Sequence, residues 1–141
     1  MALNLRVAYF LTRGVAARLI AEGKPGSLIN ISSQMGHVGG PDRAVYAATK
    51  HGLEGMTKAM AIEWGPHGIR VNTPCPTFIR TALGEQTLRD AGRLAWILSK
   101  IKLGRVGEVT DIMGPVVFLA SDAAALITGT ALMADGGWTA E

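Results

Sequence analysis

The chain contains 141 residues, of which 48% are hydrophobic and 18% are charged, proportions that suit a single domain with a packed core. Its formal net charge of +3 comes from 14 basic and 11 acidic residues scattered along the sequence. A nucleic-acid surface would gather lysines and arginines into a patch, so we expect no nucleic-acid partner. No apolar run reaches the roughly eighteen residues that cross a bilayer, so we expect no membrane partner. Because Cys75 is the one cysteine, no internal disulfide can form, and a cytoplasmic location is expected.

Apolar periodicity, interrupted by glycine and proline, predicts alternating helices and strands. The predicted elements are a helix over 1–22, a strand over 27–32, a helix over 44–64, a strand over 69–73, an excursion over 78–105 with a helix near 88–101, a helix over 109–120 and a strand over 130–134. Strands separated by helices pair in parallel, which predicts an α/β sheet. Ligands of such sheets bind beyond the carboxyl ends of the strands, where this chain has residues 32–33, 74–77 and 135–137.

Tyr46 and Lys50 are four residues apart on the second predicted helix, so both side chains project from one face. An ammonium group close to a phenol favours the phenolate, as a tyrosine that exchanges a proton with an alcohol or carbonyl requires. Ser33 follows a strand and would donate a hydrogen bond to the same substrate oxygen. The alternatives are a solvated helix face with an ordinary tyrosine and a serine that starts a loop.

The remaining reactive side chains carry no comparable pattern. Cys75 is expected to pack at a strand end, because a catalytic thiol needs a histidine partner. The three histidines have no spacing that indicates such a pair, and we expect no metal site. They are His37, His51 and His67.

Several segments together closely resemble the short-chain dehydrogenase/reductase family. They are Ile29-Asn30-Ile31-Ser32-Ser33, Tyr46-Ala47-Ala48-Thr49-Lys50, Gly68-Ile69-Arg70-Val71-Asn72, 76–81, 117–122, Thr128-Gly129 and Asp135-Gly136-Gly137. They cover essentially the whole chain in the family's order, and concurrence of several motifs is specific where one is not. The resemblance implies an α/β fold with an incomplete Rossmann-type parallel sheet, about its last three strands, and flanking helices. The chain 1–141 would be a single partial domain.

The resemblance also implies roles for individual residues. Tyr46 would be the general acid/base, Lys50 would favour its phenolate and hold the nicotinamide ribose, and Ser33 would hold the substrate carbonyl. Asn4, in the phrase Asn4-Leu5-Arg6-Val7-Ala8-Tyr9-Phe10, would hold a water that connects Lys50 to solvent. The alternative for Asn4 is a polar residue in a frayed first turn.

The segment from Pro76 to Thr81 resembles the loop that clamps the nicotinamide, and the implied cofactor is NAD or NADP without distinction. The resemblance places Pro76, Thr77 and Phe78 in this loop. The backbone of Ile79 and the hydroxyl of Thr81 would hold the carboxamide and the nearby phosphate. Threonine at position 77 stands where the family usually has glycine, which puts the local backbone shape in doubt.

By resemblance, the expected function is hydride transfer between NAD(P) and a carbonyl or secondary alcohol of a small molecule. The family's glycine-rich pyrophosphate turn is not among these 141 residues, so activity is expected to need an amino-terminal half. The alternative is a catalytically inactive fragment that acts through assembly. A homo-oligomer, dimer or tetramer, is expected, and an uncovered sheet edge predicts self-association or the need for another polypeptide. The excursion 82–103 is apolar at Leu94, Trp96, Ile97 and Leu98, which predicts a largely hydrophobic or modest-sized substrate pocket. The alternative is simple packing of these side chains against the body of the protein.

Overall fold

The computed structural model describes residues 2–140 as alternating helices and strands. The main elements are α1 Ala8–Ala21, β1 Gly26–Ile29, α2 Ala44–Trp64, β2 Ile69–Pro76, α3 Ala82–Leu88, α4 Ala91–Lys100, α5 Val109–Ala120 and β3 Ala131–Ala134. A π-helical stretch, Ala2–Val7, leads directly into α1. The order of elements confirms the predicted α/β class.

The three strands form one parallel sheet in the order β1-β2-β3. Side chains of successive strand residues point to opposite faces of the sheet, so β2 serves two layers. Ile69 and Val71 are buried in the cluster that packs β2 against α1 and α2. On the other face, Arg70 donates a hydrogen bond to the carbonyl of Leu119 in α5 over 2.9 Å. The sheet is therefore covered by α1 and α2 on one face and by α5 on the other.

The strand predicted over 27–32 ends at Ile29, and the reason lies on its neighbour. The N–H of Ser32 still donates to the carbonyl of Pro74 over 3.0 Å. In a regular parallel ladder, the residue whose carbonyl accepts the bond from Ser32 would also donate its own N–H to the carbonyl of Asn30, two residues before Ser32. Proline has no N–H, so Pro74 cannot donate to the carbonyl of Asn30. The regular ladder stops there, and the chain from Ser32 onward leaves the strand path.

The helix predicted near 88–101 is present as α4, and a second helix that was not predicted, α3, precedes it. Asp90 separates them, because its carboxylate accepts a hydrogen bond from the N–H of Arg93 over 2.7 Å and caps α4. Ile97 of α4 is completely buried and belongs to a second apolar cluster. That cluster joins Met35, Leu88, Ile97, Ile101, Val106 and Trp138. The excursion is thus a packed part of the fold beside the carboxyl edge of the sheet.

Strand β1 lies at the edge of the described sheet, next to an exposed apolar face of α1. Phe10, Leu11 and Val15 are exposed by 53%, 65% and 49%. With residues 27–31 of the edge strand, Leu11 and Val15 line an open groove. No helix within residues 2–140 is long and apolar enough to cross a membrane.

Candidate active site

Tyr46 and Lys50 lie on the same face of α2, as the four-residue spacing predicts. The ammonium nitrogen of Lys50 is 5.7 Å from the centroid of the Tyr46 ring. Lys50 is buried, and its Nζ donates a hydrogen bond to the carbonyl of Ile31 over 2.8 Å. This bond holds the ammonium between α2 and the end of β1. Burial lowers the pKa of Lys50, and the charge of Glu54 acts in the opposite direction.

Ser33 is buried directly after β1, where the chain makes a single 3₁₀ turn over Gln34–Gly36. Its Oγ accepts a hydrogen bond from the N–H of Met35 over 3.1 Å, which caps the turn and fixes the side chain. The hydroxyl hydrogen points to Gln34 Oε1, 2.7 Å away, with the carbonyl of Pro76 at 3.4 Å. The hydroxyl can therefore turn from Gln34 to a substrate oxygen while still accepting the Met35 bond.

An open pocket of about 460 Å³ brings together most of the predicted site residues. The predicted residues in its wall are Ser33, Tyr46, Thr77, Phe78, Ile79 and Thr81. Four hydrogen-bonding residues that sequence reasoning missed also line it, namely Gln34, Arg43, Gln86 and Thr87. Gln34 and Arg43 had a weak signal in the sequence, since Gln34 follows Ser33 directly and Arg43 precedes Tyr46 by about one helical turn. The positions of Gln86 and Thr87 depend on the path of α3, which the sequence does not indicate.

The loop after β2 adopts its shape without glycine at position 77. Among residues 2–140, Asp42 is the one non-glycine residue with a positive φ, so Thr77 needs no left-handed backbone. Its Oγ1 is buried and has no hydrogen-bond partner. An unpaired buried hydroxyl beside the pocket fits a polar group of a bound molecule. The loop therefore holds Thr77 without left-handed backbone strain.

The same loop is held in place by contacts with Gly107 and with the first turn of α3. Ile79 forms a bridge with Gly107 that uses the carbonyl of Phe78 and the N–H of Arg80, so the bridge leaves the backbone groups of Ile79 unused. The hydroxyl of Thr81 accepts a hydrogen bond from the N–H of Gly84 over 3.0 Å and caps α3. A β-carbon on Gly84 would lie 2.6 Å from the carbonyl oxygen of Ile79, so α3 packs tightly under the loop. These contacts fit the implied clamp.

Three predicted site residues, Asn4, Lys50 and Pro76, lie outside the pocket wall. Asn4 lies in the π-helical stretch, which packs against α2 through the contact of Leu5 with Gly52. Within residues 2–140, no hydrogen bond joins Asn4 to Lys50, so its role stays a prediction. The carbonyl of Pro76 reaches Ser33, although the proline is outside the pocket wall.

The apolar residues of the excursion pack mainly into the second apolar cluster and not into the pocket beside Ser33. Ile97 is fully buried there, and Leu94, Trp96 and Leu98 pack against that cluster. Trp96 alone of these four also lines a smaller adjoining pocket. The apolar part of the pocket wall beside Tyr46 comes instead from Met35, Phe78, Ile79 and Leu83, next to the hydrogen-bonding groups named above.

Cys75 is completely buried in β2. Burial, together with the charge of Glu54, raises the pKa of Cys75 to about 12. The free thiol is thus protonated at neutral pH and is a poor nucleophile.

This geometry can be compared with known proteins. A family model described as enoyl-(acyl carrier protein) reductase matches residues 1–139. D-Erythrulose reductase of Gallus gallus is 42% identical over 135 residues, which are 96% of this chain and 55% of that protein. The chain belongs to the short-chain dehydrogenase/reductase family. A second relative of this oxidoreductase family, 2-dehydro-3-deoxy-D-gluconate 5-dehydrogenase of Escherichia coli, is 41% identical over 99% of this chain and 55% of its own length.

Solved structures of short-chain dehydrogenase/reductase proteins share the fold closely. A gluconate 5-dehydrogenase from Burkholderia cenocepacia, in complex with NADP and tartrate, superimposes with a TM-score of 0.96 at 35% identity. It is matched by 100% of this chain, which covers 55% of it. A 4-hydroxyisoleucine dehydrogenase complexed with NADH gives a TM-score of 0.94 at 40% identity, with 99% of this chain and 57% of that one covered. The present chain of 141 residues therefore spans about half the length of the curated relatives it matches.

Proposed function

We propose that this chain supplies the proton-transfer part of an NAD(P)-dependent reductase site for a small carbonyl compound. The observation that carries the proposal is the convergence of Ser33 and Tyr46 on one pocket, with Lys50 beside the tyrosine ring. A bound nicotinamide would supply the hydride, which is the chemistry that such cofactors contribute.

In the direction of reduction, the substrate carbonyl oxygen lies between the hydroxyls of Tyr46 and Ser33. Ser33 donates a hydrogen bond that polarises the carbonyl, and Tyr46 donates the proton as negative charge develops on the oxygen. The ammonium of Lys50 stabilises the phenolate that remains, because opposite charges a few ångströms apart in a buried site attract strongly. Asn4 would keep Lys50 connected to solvent through a water.

The pocket residues also fit the nicotinamide end of a cofactor. Lys50 would hold the ribose, and the backbone of Ile79 would hold the carboxamide. The unpaired hydroxyl of Thr77 and the hydroxyl of Thr81 lie on the same wall and would complete the contacts. The pyrophosphate and adenosine would need a glycine-rich turn from another part of the fold.

We propose a small polyhydroxylated carbonyl compound as the substrate class. Gln34, Arg43, Gln86 and Thr87 offer several hydrogen-bonding groups to a molecule bound next to Ser33. Such a lining suits hydroxyl-rich compounds, because a site built to bind hydroxyl groups rejects analogues that lack them. The relatives named for erythrulose and 2-dehydro-3-deoxy-D-gluconate act in that range of chemistry.

Calorimetric titration with NADH and NADPH tests whether the chain binds a nicotinamide. We expect saturable binding that Lys50→Ala weakens and that Lys58→Ala, a change on the exposed side of the same helix, leaves unchanged. Absence of binding by folded protein, or equal loss in both variants, would show that these residues alone do not hold the cofactor.

The competing function is non-catalytic assembly. The exposed face formed by Phe10, Leu11 and Val15 favours it, because large exposed apolar patches mark interaction surfaces. We propose that the chain self-associates as a dimer or tetramer through this region. Light scattering, combined with the calorimetric titration, distinguishes the two functions, since assembly without nicotinamide binding would support the non-catalytic one.

A further inference from the structure

Behind the pocket, three side chains from different segments converge on one point. His37 follows the 3₁₀ turn after β1, Glu54 lies on α2, and Cys75 lies on β2. Cys75 Sγ is 3.4 Å from Glu54 Oε1 and 3.7 Å from His37 Nε2. The third separation, from His37 Nε2 to Glu54 Oε2, is 3.9 Å. Cys75 is thus close to one oxygen of the Glu54 carboxylate and His37 to the other, and one potential ligating atom from each residue lies within 4.8 Å of the other two.

These separations are close to those between the ligands of a tetrahedral metal ion. Zinc binds histidine nitrogen and carboxylate oxygen at about 2.0–2.2 Å and thiolate sulfur at about 2.3 Å, so neighbouring ligand atoms lie about 3.4–3.6 Å apart. The observed contacts of 3.4, 3.7 and 3.9 Å are close to this range, but the two that involve Glu54 use different oxygens, so the carboxylate must turn to present a single oxygen to the ion. A small rotation of the His37 ring closes the longer two distances, and that side chain is free to move because it is one-third exposed.

The charge in the cluster also calls for a cation. Glu54 is only 5% exposed, and its oxygens accept hydrogen bonds from the hydroxyl of Thr73 over 2.8 Å and from the thiol of Cys75. Within residues 2–140, no lysine or arginine forms an ion pair with Glu54; Lys50, one turn away, donates to the carbonyl of Ile31 instead. His37, 3.9 Å away, can form an ion pair with Glu54 only when it is protonated. With a neutral imidazole the buried carboxylate lacks a cationic partner, and a bound divalent ion offsets that cost.

We propose that His37, Glu54 and Cys75 bind one divalent transition-metal ion, best matched by Zn²⁺, with a fourth position open toward solvent. Nitrogen, sulfur and oxygen donors together are the set that zinc accepts, whereas Mg²⁺ and Ca²⁺ take oxygen ligands. The site departs from the expectation of no metal. It is independent of the proposed reductase activity.

The consequence is structural. The ion ties the loop after β1, helix α2 and strand β2 together, and these segments carry Ser33, Tyr46 and the start of the clamp loop. It therefore fixes the relative positions of the elements that build the pocket.

Cobalt substitution tests the site directly, because a thiolate ligand produces a charge-transfer absorption band in the near ultraviolet. The full chain, purified in chelator, is titrated with Co²⁺ and then with Zn²⁺. We expect the band to saturate at one Co²⁺ per chain and to be removed by an equivalent of Zn²⁺. Since Cys75 is the single cysteine, the band reports on this site alone.

Three variants complete the test. Cys75→Ser should abolish the band, and Glu54→Gln should weaken Co²⁺ binding while keeping an acceptor for Thr73, which preserves the fold. His51→Ala removes an exposed histidine on the same helix and should leave the titration unchanged. Circular dichroism verifies folding of each variant. No band in the wild type, or metal binding that survives Cys75→Ser and disappears in His51→Ala, overturns the proposal.

Discussion

Asn72 connects the centre of the sheet to the chain that enters β3, and its removal gives a sharp test of the packing. Its side chain is fully buried. The Nδ2 donates to the carbonyl of Ile127 over 2.8 Å, and the Oδ1 accepts from the N–H of Thr130 over 3.1 Å. One amide therefore satisfies two backbone groups of the same loop.

Asn72→Ala leaves both of those backbone groups without their partner. A buried group left unpaired costs about 1–3 kcal/mol, and we take the lower part of this range because Ile127 and Thr130 keep some contact with solvent. The free energy of unfolding should therefore fall by about 2–4 kcal/mol in total. This is a large loss, since whole domains are stable by only about 5–15 kcal/mol.

Equilibrium urea unfolding, followed by tryptophan fluorescence, measures the change. Both proteins must be compared at one concentration, because self-association adds concentration-dependent stability. Thr57→Val is the matched control, since the hydroxyl of Thr57 is buried without a partner and its replacement should be neutral or stabilising. If Asn72→Ala unfolds within about 0.5 kcal/mol of the native chain, or Thr57→Val costs as much, the hydrogen-bond argument is wrong.

Three further predictions concern the helices around the site and the open edge. Gly84→Ala should weaken nicotinamide binding, because the new methyl group would lie 2.6 Å from the carbonyl oxygen of Ile79 in the clamp loop. Gly92→Ala is the control, since its methyl group would lie 3.4 Å from the nearest atom, Asp90 Oδ1, and should leave the calorimetric affinity unchanged. Weaker binding in Gly92→Ala than in Gly84→Ala would refute the clamp. Asp111→Asn should lower the thermal midpoint at neutral pH, because the ion pair with Arg105 holds the pKa of Asp111 well below its usual range. That contribution is complete above the ordinary aspartate pKa and is lost as pH falls toward the lowered one, so the two thermal midpoints should converge in acid; a constant difference would contradict the assignment. Leu11→Lys should reduce the mass measured by light scattering, because a charge on the exposed face of α1 opposes apolar association; an unchanged mass would exclude that face.

Much of the fold was predictable because local signals were strong. The bounds of α2 and α5 agree with those expected from the sequence, since apolar periodicity and glycine or proline ends act within the helices themselves. The end of β1 was not predictable from its own residues. The cause is Pro74 on the neighbouring strand, and the pairing of the two strands is set by the tertiary fold.

The same distinction applies to the site. Tyr46 and Lys50 follow from a four-residue spacing on one helix, which is a local rule. Gln34 and Arg43 reach the pocket because of the path of the loops after β1, and no periodicity encodes that path. The cluster around Cys75 draws on three segments far apart in sequence, so its members carried no common signal.

The two prolines of β2 limit how far its pairing with β1 extends toward the pocket. Each removes a donor that would otherwise extend the pairing of β1 with β2 toward Ser33. A variant with valine at position 74 would gain a rung of the ladder and would draw the segment after β1 closer to β2. Position 74 therefore sets both where the regular pairing of β1 with β2 ends and how far the segment that carries Ser33 stands from the sheet.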